Sequence, residues 1–495
     1  MAILGMTSMF LVREPPGKRN ERAPKCVAQT CQGVFSKARC VFCAGHSCAS
    51  RKVFSRRNSW PRVFAMTQQS ATSRSTGDHT LLVVGGRIQT LRKAAALGIR
   101  FVLIQHQDHF VPEAAKLAEA VIIADYTDWE TTRPLIEAAH TAYGFTRVVS
   151  ITEPGLVPAA RISDHLGLGG TTERTAELLR DKRAMRDLLA AAEETRDLSV
   201  AAAEVTNAQD LVAFGAAHGY PFVLKPADAT ASLGVERIDG PEQAAAAWAG
   251  VEALRARTDL QWGNFFHIER FLVEQYIAGP EFSVESFSFA GRHVVLAITE
   301  KLTGGDNGFI EFGHALPARL TAEQERSVED TVARFLDALG LTDGAAHTEL
   351  RLTPTGPKII ESHNRMGGDR IFDLLNAAYG IDVEEWIVAW QFGLIPALDA
   401  RPVPERSAAT RFLSARPGTV VEVQGVEEAK QLADVIDVET TVKPGDVLGE
   451  LRGNWDRAGQ VLTTGPDTTA AIETAEALTE QITVVTVELE QKVAA

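Results

Sequence analysis

Apolar runs separated by helix-like stretches dominate the chain from residue 80 to residue 167. The runs TLLVVGG, IRFVLIQ and RVVSI predict buried strands, and the intervening pattern predicts helices to Ala96, over Trp129–Tyr143 and over Leu156–Leu166. Strands that alternate with helices are typical of an α/β unit with a parallel sheet. The glycine pair after the first run lacks the rest of a GxGxxG fingerprint, so a dinucleotide site is not indicated.

The pattern changes between residues 168 and 400, where strands, helices and short turns are mixed. A long helix is predicted over TERTAELLRDKRAMRDLLAAAE, with Lys182 and Arg186 four residues apart on one face. Farther on, FLVEQYIAGPEFSVESF predicts two strands joined by a turn, and a capping box at Thr321–Gln324 opens a helix that ends before Gly340.

From Arg401 onwards, Val- and Ile-rich runs alternate with Gly and Asp turns, followed by a helix over Thr468–Glu480 and a last strand. This pattern predicts a small α+β domain without a metal-ligand cluster or nucleophile motif. We therefore divide the chain into an extension (1–65), a linker (66–79) and three domains (80–167, 168–400 and 401–495).

Two glutamates stand out because each interrupts an apolar, strand-like run. Glu349 lies in AHTELRL, Glu361 lies in KIIESHNR, and Pro354-Thr355-Gly356 joins the two runs. A hairpin centred on Thr355 would place the carboxylates opposite each other, where like charges destabilise a strand pair. A partly buried pair needs a cation, and Mg²⁺ prefers one or two carboxylates plus substrate oxygens. The alternative is a surface hairpin whose glutamates face water.

The neighbours of the hairpin point to phosphate chemistry. Arg365 follows the second glutamate by four residues, and an arginine beside a metal carboxylate fits transfer of a phosphoryl or acyl-phosphate group. Upstream, Lys225 ends an apolar strand and is followed by the small-residue loop Ala229–Gly234, whose backbone N–H groups could approach phosphate oxygens. A flexible loop between two strands is the ordinary alternative.

Composition narrows the class of protein. The 495 residues are 45% hydrophobic and 23% charged, and no run approaches the roughly 18 apolar residues of a membrane-spanning helix. Residues 1–65 hold 12 of the 50 basic residues and 2 of the 64 acidic ones, which leaves 38 basic and 62 acidic residues in the rest. The excess of acidic residues after residue 65 argues against a nucleic-acid partner. We expect small-molecule substrates, no membrane partner, a cytoplasmic location and, as the commonest default, a homodimer.

The basic extension holds all five cysteines: Cys26, Cys31, Cys40, Cys43 and Cys48. Three interpretations stay open. A CxxC with His46 and Cys48 could form a zinc knuckle. An Arg-rich, acid-poor segment is typical of an organellar transit peptide. The third interpretation is that the extension is disordered or, with a natural start at Met66, foreign to the natural protein. The rest of the chain has no cysteine and therefore no disulfide framework.

In their order along the chain, these features resemble the ATP-grasp superfamily, over residues 80–490. The resemblance rests on Lys182, Lys225, Ser232-Leu233-Gly234, Glu274–Ile277, Glu281, Glu349 and Glu361-x-x-x-Arg365. On FIEFGHALPA, HTELRL and IESHNRMGGD, the chain is further similar to carboxylate–amine ligases that join L-amino acids, also called L-amino acid ligases. The implied fold is α/β and α+β: an ATP-grasp fold with an N-terminal Rossmann-like (pre-ATP-grasp) domain and a small C-terminal α+β domain.

The resemblance also implies a mechanism with ATP and two Mg²⁺ ions, or Mn²⁺ in their place. A carboxylate attacks the γ-phosphate of ATP to give an acyl phosphate, and an amine then displaces phosphate to give an amide. The loop Thr303–Gly308 is expected to close over this intermediate. The implied roles are ATP contacts at Lys182, Lys225, Ser232, Gly234, Glu274, Gln275, Ile277 and Glu281, metal ligands Glu349 and Glu361, catalytic residues Arg365 and His314, and substrate contacts Glu311, His314, Met366, Gly367 and Asp369.

One departure from the superfamily concerns the second metal. Many ATP-grasp enzymes have Glu-x-Asn on this strand, with the asparagine as a further Mg²⁺ ligand, whereas His363 holds that position here and Asn364 follows it. Adjacent strand residues point to opposite faces, so Asn364 cannot replace the ligand without a local bulge.

Three functional hypotheses follow. The favoured one is an ADP-forming ligase that couples an amino-acid carboxylate to an amine, with a second amino acid as the expected source of that amine. The second is an ATP-grasp carboxylase of the biotin-carboxylase or purine-biosynthesis type that uses bicarbonate. The third, prompted by His363, is a degenerate protein that binds nucleotide without turnover.

Overall fold

The computed structural model describes residues 79–257, 268–305 and 308–488. These residues belong to one compact unit. The cysteine-containing extension, Met66 and the linker before His79 lie outside the described residues, as do Asp306 and Asn307 of the expected closing loop. Among the described residues, no helix combines the length and the apolar character needed to cross a membrane.

A four-stranded parallel sheet forms the first region, as the alternation of strands and helices predicted. It comprises β1 (Thr80–Val84), α1 (Ile88–Ala96), β2 (Arg100–Gln105), α2 (Ala114–Leu117), β3 (Ala120–Ile123), α3 (Trp129–Tyr143), β4 (Arg147–Val149) and α4 (Leu156–Leu166). The strand order is β3-β2-β1-β4. Chain order reverses between β1 and β4, and the carboxyl ends of strands at such a point form a crevice where open sheets hold ligands. The 3₁₀ turn Glu153–Gly155 follows β4 at this edge.

The prediction of one long helix after the first region is wrong. Three short helices take its place: α5 (Glu173–Leu178), α6 (Lys182–Ala191) and α7 (Glu193–Arg196). Asp181 causes the first break, since its side chain accepts hydrogen bonds from the backbone N–H groups of Arg183 and Ala184 and so caps α6. Lys182 and Arg186 share one face of α6, and both are buried.

A small antiparallel sheet carries the expected phosphate-binding elements. This region comprises β5 (Ala202–Val205), α8 (Ala208–His218), β6 (Phe222–Pro226), β7 (Glu236–Ile238), α9 (Ala244–Arg255) and β8 (Phe271–Gln275). The strand order of its sheet is β5-β8-β6-β7. Lys225 lies near the end of β6, as predicted, and the small-residue loop connects β6 to β7.

The central sheet is larger and positions the glutamates. The part of the chain that forms most of this sheet comprises β9 (Glu281–Phe289), β10 (Arg292–Gly304), β11 (Ile310–Leu316), α10 (Ala322–Leu339), β12 (Gly344–Thr353), β13 (Gly356–His363), α11 (Ile371–Tyr379) and α12 (Val383–Trp390). The predicted capping box is confirmed: Thr321 caps α10, and the Gln324 side chain bonds back to the Thr321 backbone.

The last region continues this sheet instead of folding apart from it. It comprises β14 (Ser407–Leu413), β15 (Gly418–Gln424), α13 (Val426–Ala429), β16 (Val435–Thr440), β17 (Val447–Leu448), β18 (Gly459–Gly465), α14 (Thr468–Gln481) and β19 (Thr483–Val487). The central sheet runs β13-β12-β9-β10-β11-β14-β18-β16, and a separate small sheet runs β17-β15-β19. Hydrogen bonds therefore cross the predicted boundary near residue 401 between β11 and β14.

One hydrophobic core joins the first sheet to the central sheet. Leu81 and Phe101 of the first sheet belong to the same buried cluster as Phe287 of β9 and Leu374 of α11. Close packing of this kind transmits position rigidly. The carboxyl edge of the first sheet is thereby fixed against the hairpin β12–β13.

That hairpin confirms the predicted pairing of the glutamates, although by a different route. Thr353 pairs with Gly356, so the turn is centred half a residue earlier than predicted. Continued unchanged, that register would place Glu349 opposite Ile360. A β-bulge next to Glu349 shifts the pairing by one residue, and Glu349 pairs with Glu361. Two departures from the simple hairpin cancel.

Candidate active site

A cavity of about 1540 Å³ lies between the small sheet, the central sheet and the edge of the first sheet. Its volume exceeds the roughly 300–1,000 Å³ of ordinary ligand pockets and leaves room for a nucleotide beside a second substrate. The predicted site residues that line it are Lys182, Lys225, Ser232, Glu274, Gln275, Ile277, Glu281, Glu311, His314, Glu349, Glu361, Arg365, Met366, Gly367 and Asp369.

Gly234 is the predicted ATP contact that does not line the cavity. Its φ of +68° lies in the left-handed region, and a Cβ at this position would meet the Leu254 side chain at 2.5 Å. Glycine is therefore required here by the turn and by close packing, and not by an opening toward the cavity.

Four polar side chains cover one face of the hairpin, and we call them the metal face: His347 and Glu349 on β12, and Glu361 and His363 on β13. Side chains two residues apart on a strand share a face. Glu349 pairs across the hairpin with Glu361, and His347 pairs with His363. All four line the cavity.

Glu361 is held by a lysine and a histidine. Lys182 Nζ lies 2.9 Å from Glu361 Oε2, and His363 Nε2 lies 3.1 Å from Oε1. Burial would raise the pKa of Glu361, but Lys182 and His363 together hold it well below its usual range. Lys182 Nζ also donates to the carbonyl oxygen of Ala229 at 2.6 Å, which ties the small-residue loop to the metal face.

Glu349 has the same kinds of partner. Lys301 Nζ lies 2.6 Å from its Oε1, and His347 Nε2 lies 3.2 Å from the same atom. Burial opposes ionisation of Glu349, but Lys301 and His347 keep its pKa well below the ordinary value. Lys301 was missed by the sequence analysis, although a lysine at the end of the apolar run VVLAITEK was an available signal.

The donor set of the metal face fits a divalent cation. Two opposed carboxylates, both turned into the cavity, supply the hard oxygen ligands that Mg²⁺ prefers. Each carboxylate is balanced by a lysine, so a bound cation would take over the charge compensation. Lys182 would then be available to other anions in the cavity, whereas Lys301 would stay bound to Glu281 and Glu311.

Glu274, an ATP contact implied by the resemblance, lies between two cations. Its carboxylate accepts two hydrogen bonds from Arg186, at 2.8 and 3.0 Å, and lies 2.7 Å from Lys225 Nζ. Burial would raise the pKa of Glu274, but these cations lower it to about 2. The side chain thus fixes the position of Lys225 in the cavity lining.

Gln275 and Ile277, two further ATP contacts implied by the resemblance, are also held by side chains. Gln275 accepts a hydrogen bond from the backbone N–H of Ala201 at 3.1 Å, and the Ile277 carbonyl oxygen accepts one from Arg351 at 2.9 Å. Arg351 also lies 3.0 Å from Glu281, another implied ATP contact. These bonds hold the segment in the cavity lining, between β8 of the small sheet and β9 of the central sheet.

At the other end of the cavity lies a second polar cluster, the substrate end: Glu311, His314, Asp369 and Arg457. Arg457 donates to both oxygens of Asp369, at 2.9 and 2.7 Å, and its guanidinium lies 3.7 Å from the centre of the Phe412 ring. Burial opposes ionisation of Asp369, but His314 and Arg457 hold its pKa well below the usual range. Arg457 was not predicted, because 88 residues separate it from its partner.

His314 lies between the two carboxylates of the substrate end. Its Nε2 is 3.2 Å from Asp369 and 3.8 Å from Glu311, while its buried Nδ1 has no hydrogen-bond partner among the described residues. The ligand atoms of these three side chains lie within 4.8 Å of one another, close enough for a metal ion. Arg457 and Lys301 already supply the positive charge there, so a metal ion is not required.

Arg365 depends on a residue from the first sheet. Its Nε donates to Glu153 Oε2 at 2.6 Å, and Glu153 Oε1 lies 3.0 Å from His363 Nδ1. Burial would raise the pKa of Glu153, but His363 and Arg365 hold it well below its usual range. The sequence analysis missed Glu153, which lies more than 200 residues from both partners.

The two residues after Arg365 have mainly packing roles. The Met366 side chain is buried in the core shared with the first sheet. At Gly367, a Cβ would lie 2.9 Å from His347 Nδ1, so glycine allows the backbone to approach the metal face. Asn364 is absent from the cavity lining whereas His363 belongs to it, which agrees with the strand alternation expected from the sequence.

Models of three domain families match the chain. They are the ATP-grasp N-terminal domain over residues 91–170, the ATP-grasp domain over 218–373 and the L-amino acid ligase C-terminal domain 2 over 411–487. The chain belongs to the ATP-grasp superfamily. The fold class predicted from the sequence is thereby confirmed.

Curated relatives of this ATP-grasp protein include named ligases. Carnosine synthase 1 from Gallus gallus is 30% identical over 224 residues, which are 42% of this chain and 23% of the relative. Alanine–anticapsin ligase from Bacillus subtilis (strain 168) is 25% identical over 296 residues, 57% of this chain and 58% of the relative. The chain therefore spans less than two thirds of the length of these curated relatives.

A solved structure shares the complete ATP-grasp architecture. The crystal structure of L-amino acid ligase from Bacillus licheniformis superposes with a TM-score of 0.70 at 23% identity, and covers 83% of this chain and 99% of the solved one. Likeness at this level of identity supports the fold.

Proposed function

We propose that the protein is an ATP-dependent, ADP-forming carboxylate–amine ligase that joins an activated amino-acid carboxylate to the amine of a second amino acid. The observation that carries this proposal is the metal face with Arg365 beside it: two opposed, half-buried carboxylates and an arginine in one cavity. Phosphoryl transfer needs charge neutralisation and positioning more than covalent chemistry from the protein.

At the nucleotide end, Lys182 and Lys225 hold phosphate oxygens as point charges. The small-residue loop, tied to Lys182 through Ala229, covers the phosphates with backbone N–H groups. Adenine lies against the hinge from Gln275 to Ile277. Divalent cations held by Glu349 and Glu361 would neutralise the charge that develops on the transferring phosphoryl group.

At the substrate end, Arg365 steadies the acyl phosphate and the oxyanion of the tetrahedral intermediate. Glu153 accepts a hydrogen bond from Nε and the carbonyl oxygen of Met366 accepts one from Nη1, and these two bonds fix the guanidinium in the cavity lining. Glu311 and Asp369 keep acceptor sites beyond those that Lys301 and Arg457 occupy, and these accept hydrogen bonds from the ammonium group of an amino acid. His314 lies between the two carboxylates, where it is placed to take a proton from the attacking amine.

The names of two relatives support an amino-acid substrate. Alanine–anticapsin ligase and an L-arginine-specific L-amino acid ligase, both from Bacillus subtilis, are named for the amino acids that they act on. Two acceptor carboxylates at the substrate end suit substrates that carry amines. Bicarbonate, the substrate of the alternative carboxylase, is an anion without an amine, so it would not bind to these carboxylates.

The test is release of phosphate from ATP and Mg²⁺ by the full-length protein in the presence of pairs of L-amino acids, with mass spectrometry of the products. We expect phosphate release that requires an amino-acid pair and yields a new amide. Release with bicarbonate alone would replace the ligase by the carboxylase. Measurable ATP binding without turnover across the whole panel would favour the degenerate nucleotide-binding protein.

A further inference from the structure

Two buried histidines flank the paired glutamates, and the mechanism above assigns them no role. His347 and His363 are 5% and 2% exposed and face each other across the hairpin. Each lies two residues from a glutamate of the metal face, on the same side of its strand. Two imidazoles and two carboxylates thus form a square on one face.

Both imidazoles bridge a pair of carboxylates in the same way. His363 Nδ1 lies 3.0 Å from Glu153, and its Nε2 lies 3.1 Å from Glu361. His347 Nδ1 lies 2.7 Å from Glu285, and its Nε2 lies 3.2 Å from Glu349. The outer carboxylate comes in each case from a different element, the 3₁₀ turn after β4 or strand β9.

This is the arrangement that orients a metal-binding histidine. Such a histidine almost always donates its second ring N–H to a carboxylate, carbonyl or water, which fixes the tautomer and aims the other nitrogen at the metal. Here Glu153 and Glu285 fix the Nδ1 side and leave Nε2 aimed at the carboxylates of the metal face. An ion bound to Glu361 or Glu349 at about 2 Å would lie within reach of the same Nε2.

We propose that His347 and His363 are nitrogen ligands of the divalent ions held by Glu349 and Glu361. The inference rests on the metal site of the proposed function and names two further ligands for it. A donor set with two imidazoles favours a transition metal over Mg²⁺, which prefers oxygen and dehydrates reluctantly. The protein should therefore bind Mn²⁺ more tightly than Mg²⁺, by at least about tenfold.

Pulsed electron paramagnetic resonance on the full-length protein with Mn²⁺ and ADP tests the ligands directly. In unlabelled protein we expect electron spin-echo modulation from a directly coordinated ¹⁴N nucleus. In protein grown with ¹⁵N-histidine, that modulation should be replaced by the ¹⁵N pattern. Nitrogen from adenine would not change with this label. A spectrum without histidine coupling, or one that the label leaves unchanged, would overturn the proposal.

Single variants then assign the two nitrogens. His363→Phe and His347→Phe, which supply no ligand atom, should each reduce the coupling and weaken Mn²⁺ binding by about tenfold or more, while binding of ADP without metal is retained. His165→Phe is the matched control, since His165 is an exposed residue of α4 that pairs with Glu137 on the surface. Unchanged coupling in both metal-face variants would contradict the assignment, and the labelled wild type remains informative if a variant fails to fold.

The spectroscopy and the ligase assay can fail separately. Amide formation by a protein whose Mn²⁺ shows no histidine coupling would overturn the ligand proposal and leave the proposed function intact. Histidine coupling in a protein that couples no amino-acid pair would support the ligands and count against the ligase.

Discussion

The two ends of the cavity are built in different ways. The metal face comes from one hairpin, so residues 347–363 supply all four of its side chains. The substrate end is assembled from β11, the segment after β13 and the chain before β18, which bring together Glu311, Asp369 and Arg457. Local strand register creates the first, and long-range packing creates the second.

The cationic side chains that balance the carboxylates also differ between the metal face and the substrate end. Each glutamate of the metal face is held by one Nζ atom of a lysine, Lys182 or Lys301, on a long flexible stem. Asp369 is held by both arms of the Arg457 fork, which also lies over an aromatic ring. Lys182 can turn to a phosphate when a metal replaces it at Glu361, whereas the bidentate pair is a fixed frame. The comparison implies that the metal face rearranges on loading and that the substrate end does not.

Removing a carboxylate from the metal face should have the largest effect. Glu361→Gln is expected to lower kcat by about 10²–10³-fold, because a group that compensates transition-state charge is lost. Phosphate release at saturating ATP measures this. Glu204→Gln is the control, since Glu204 forms an exposed ion pair with Arg270. Turnover of E361Q within threefold of the wild type would remove Glu361 from the metal site.

Glu153 holds both Arg365 and a histidine of the metal face, so its removal should have the next largest effect. In Glu153→Gln, Arg365 and His363 lose their charged partner. We expect kcat to fall by about 10–100-fold, the range found for residues that position metal ligands, with the KM for ATP nearly unchanged. Steady-state kinetics in both substrates separate these terms. An increase confined to the KM for ATP would contradict a positioning role.

The fixed frame of the substrate end predicts a smaller and more selective effect. Arg457→Lys keeps the charge but loses the fork and the stacking on Phe412. The KM for the amino acid should rise by about tenfold, because the lost contacts are worth about 1.4 kcal/mol or more, while the KM for ATP stays the same. Equal changes in both constants would show that the two ends are not independent.

The ion pairs below the nucleotide end predict the smallest effect, on acid stability. The pKa of Glu274 is about 2 when folded, against an ordinary value of 4.5, so its contribution to stability is complete above the ordinary value and is lost as pH falls toward 2. Between pH 6 and pH 3, the wild type should lose about 2 kcal/mol more unfolding free energy than Glu274→Gln. Urea unfolding followed by tryptophan fluorescence at both pH values measures the difference. Parallel losses would contradict the lowered pKa.

The sequence predicted local geometry better than long-range assembly. The pairing of Glu349 with Glu361 followed from strand spacing, although only because the bulge compensated for the earlier turn. The break before α6 was missed because the cap formed by Asp181 competes with a continuous helical pattern. Both errors concern hydrogen bonds that periodicity does not encode.

The partners of the site residues lay beyond any sequence pattern. Glu153 meets Arg365 across 212 residues, and Arg457 meets Asp369 across 88, so no local spacing signals either pair. Motif order could identify Glu274 as a site residue. It could not tell that the carboxylate is buried between Arg186 and Lys225.

Oxygen transfer tests the central claim most directly. An amino acid labelled with ¹⁸O in both carboxylate oxygens is supplied with ATP, a divalent cation and the amine substrate found in the screen. If the carboxylate attacks the γ-phosphate, each phosphate released must carry one ¹⁸O atom from that carboxylate, and the amide product must keep the other. Amide formation with unlabelled phosphate would contradict activation through an acyl phosphate.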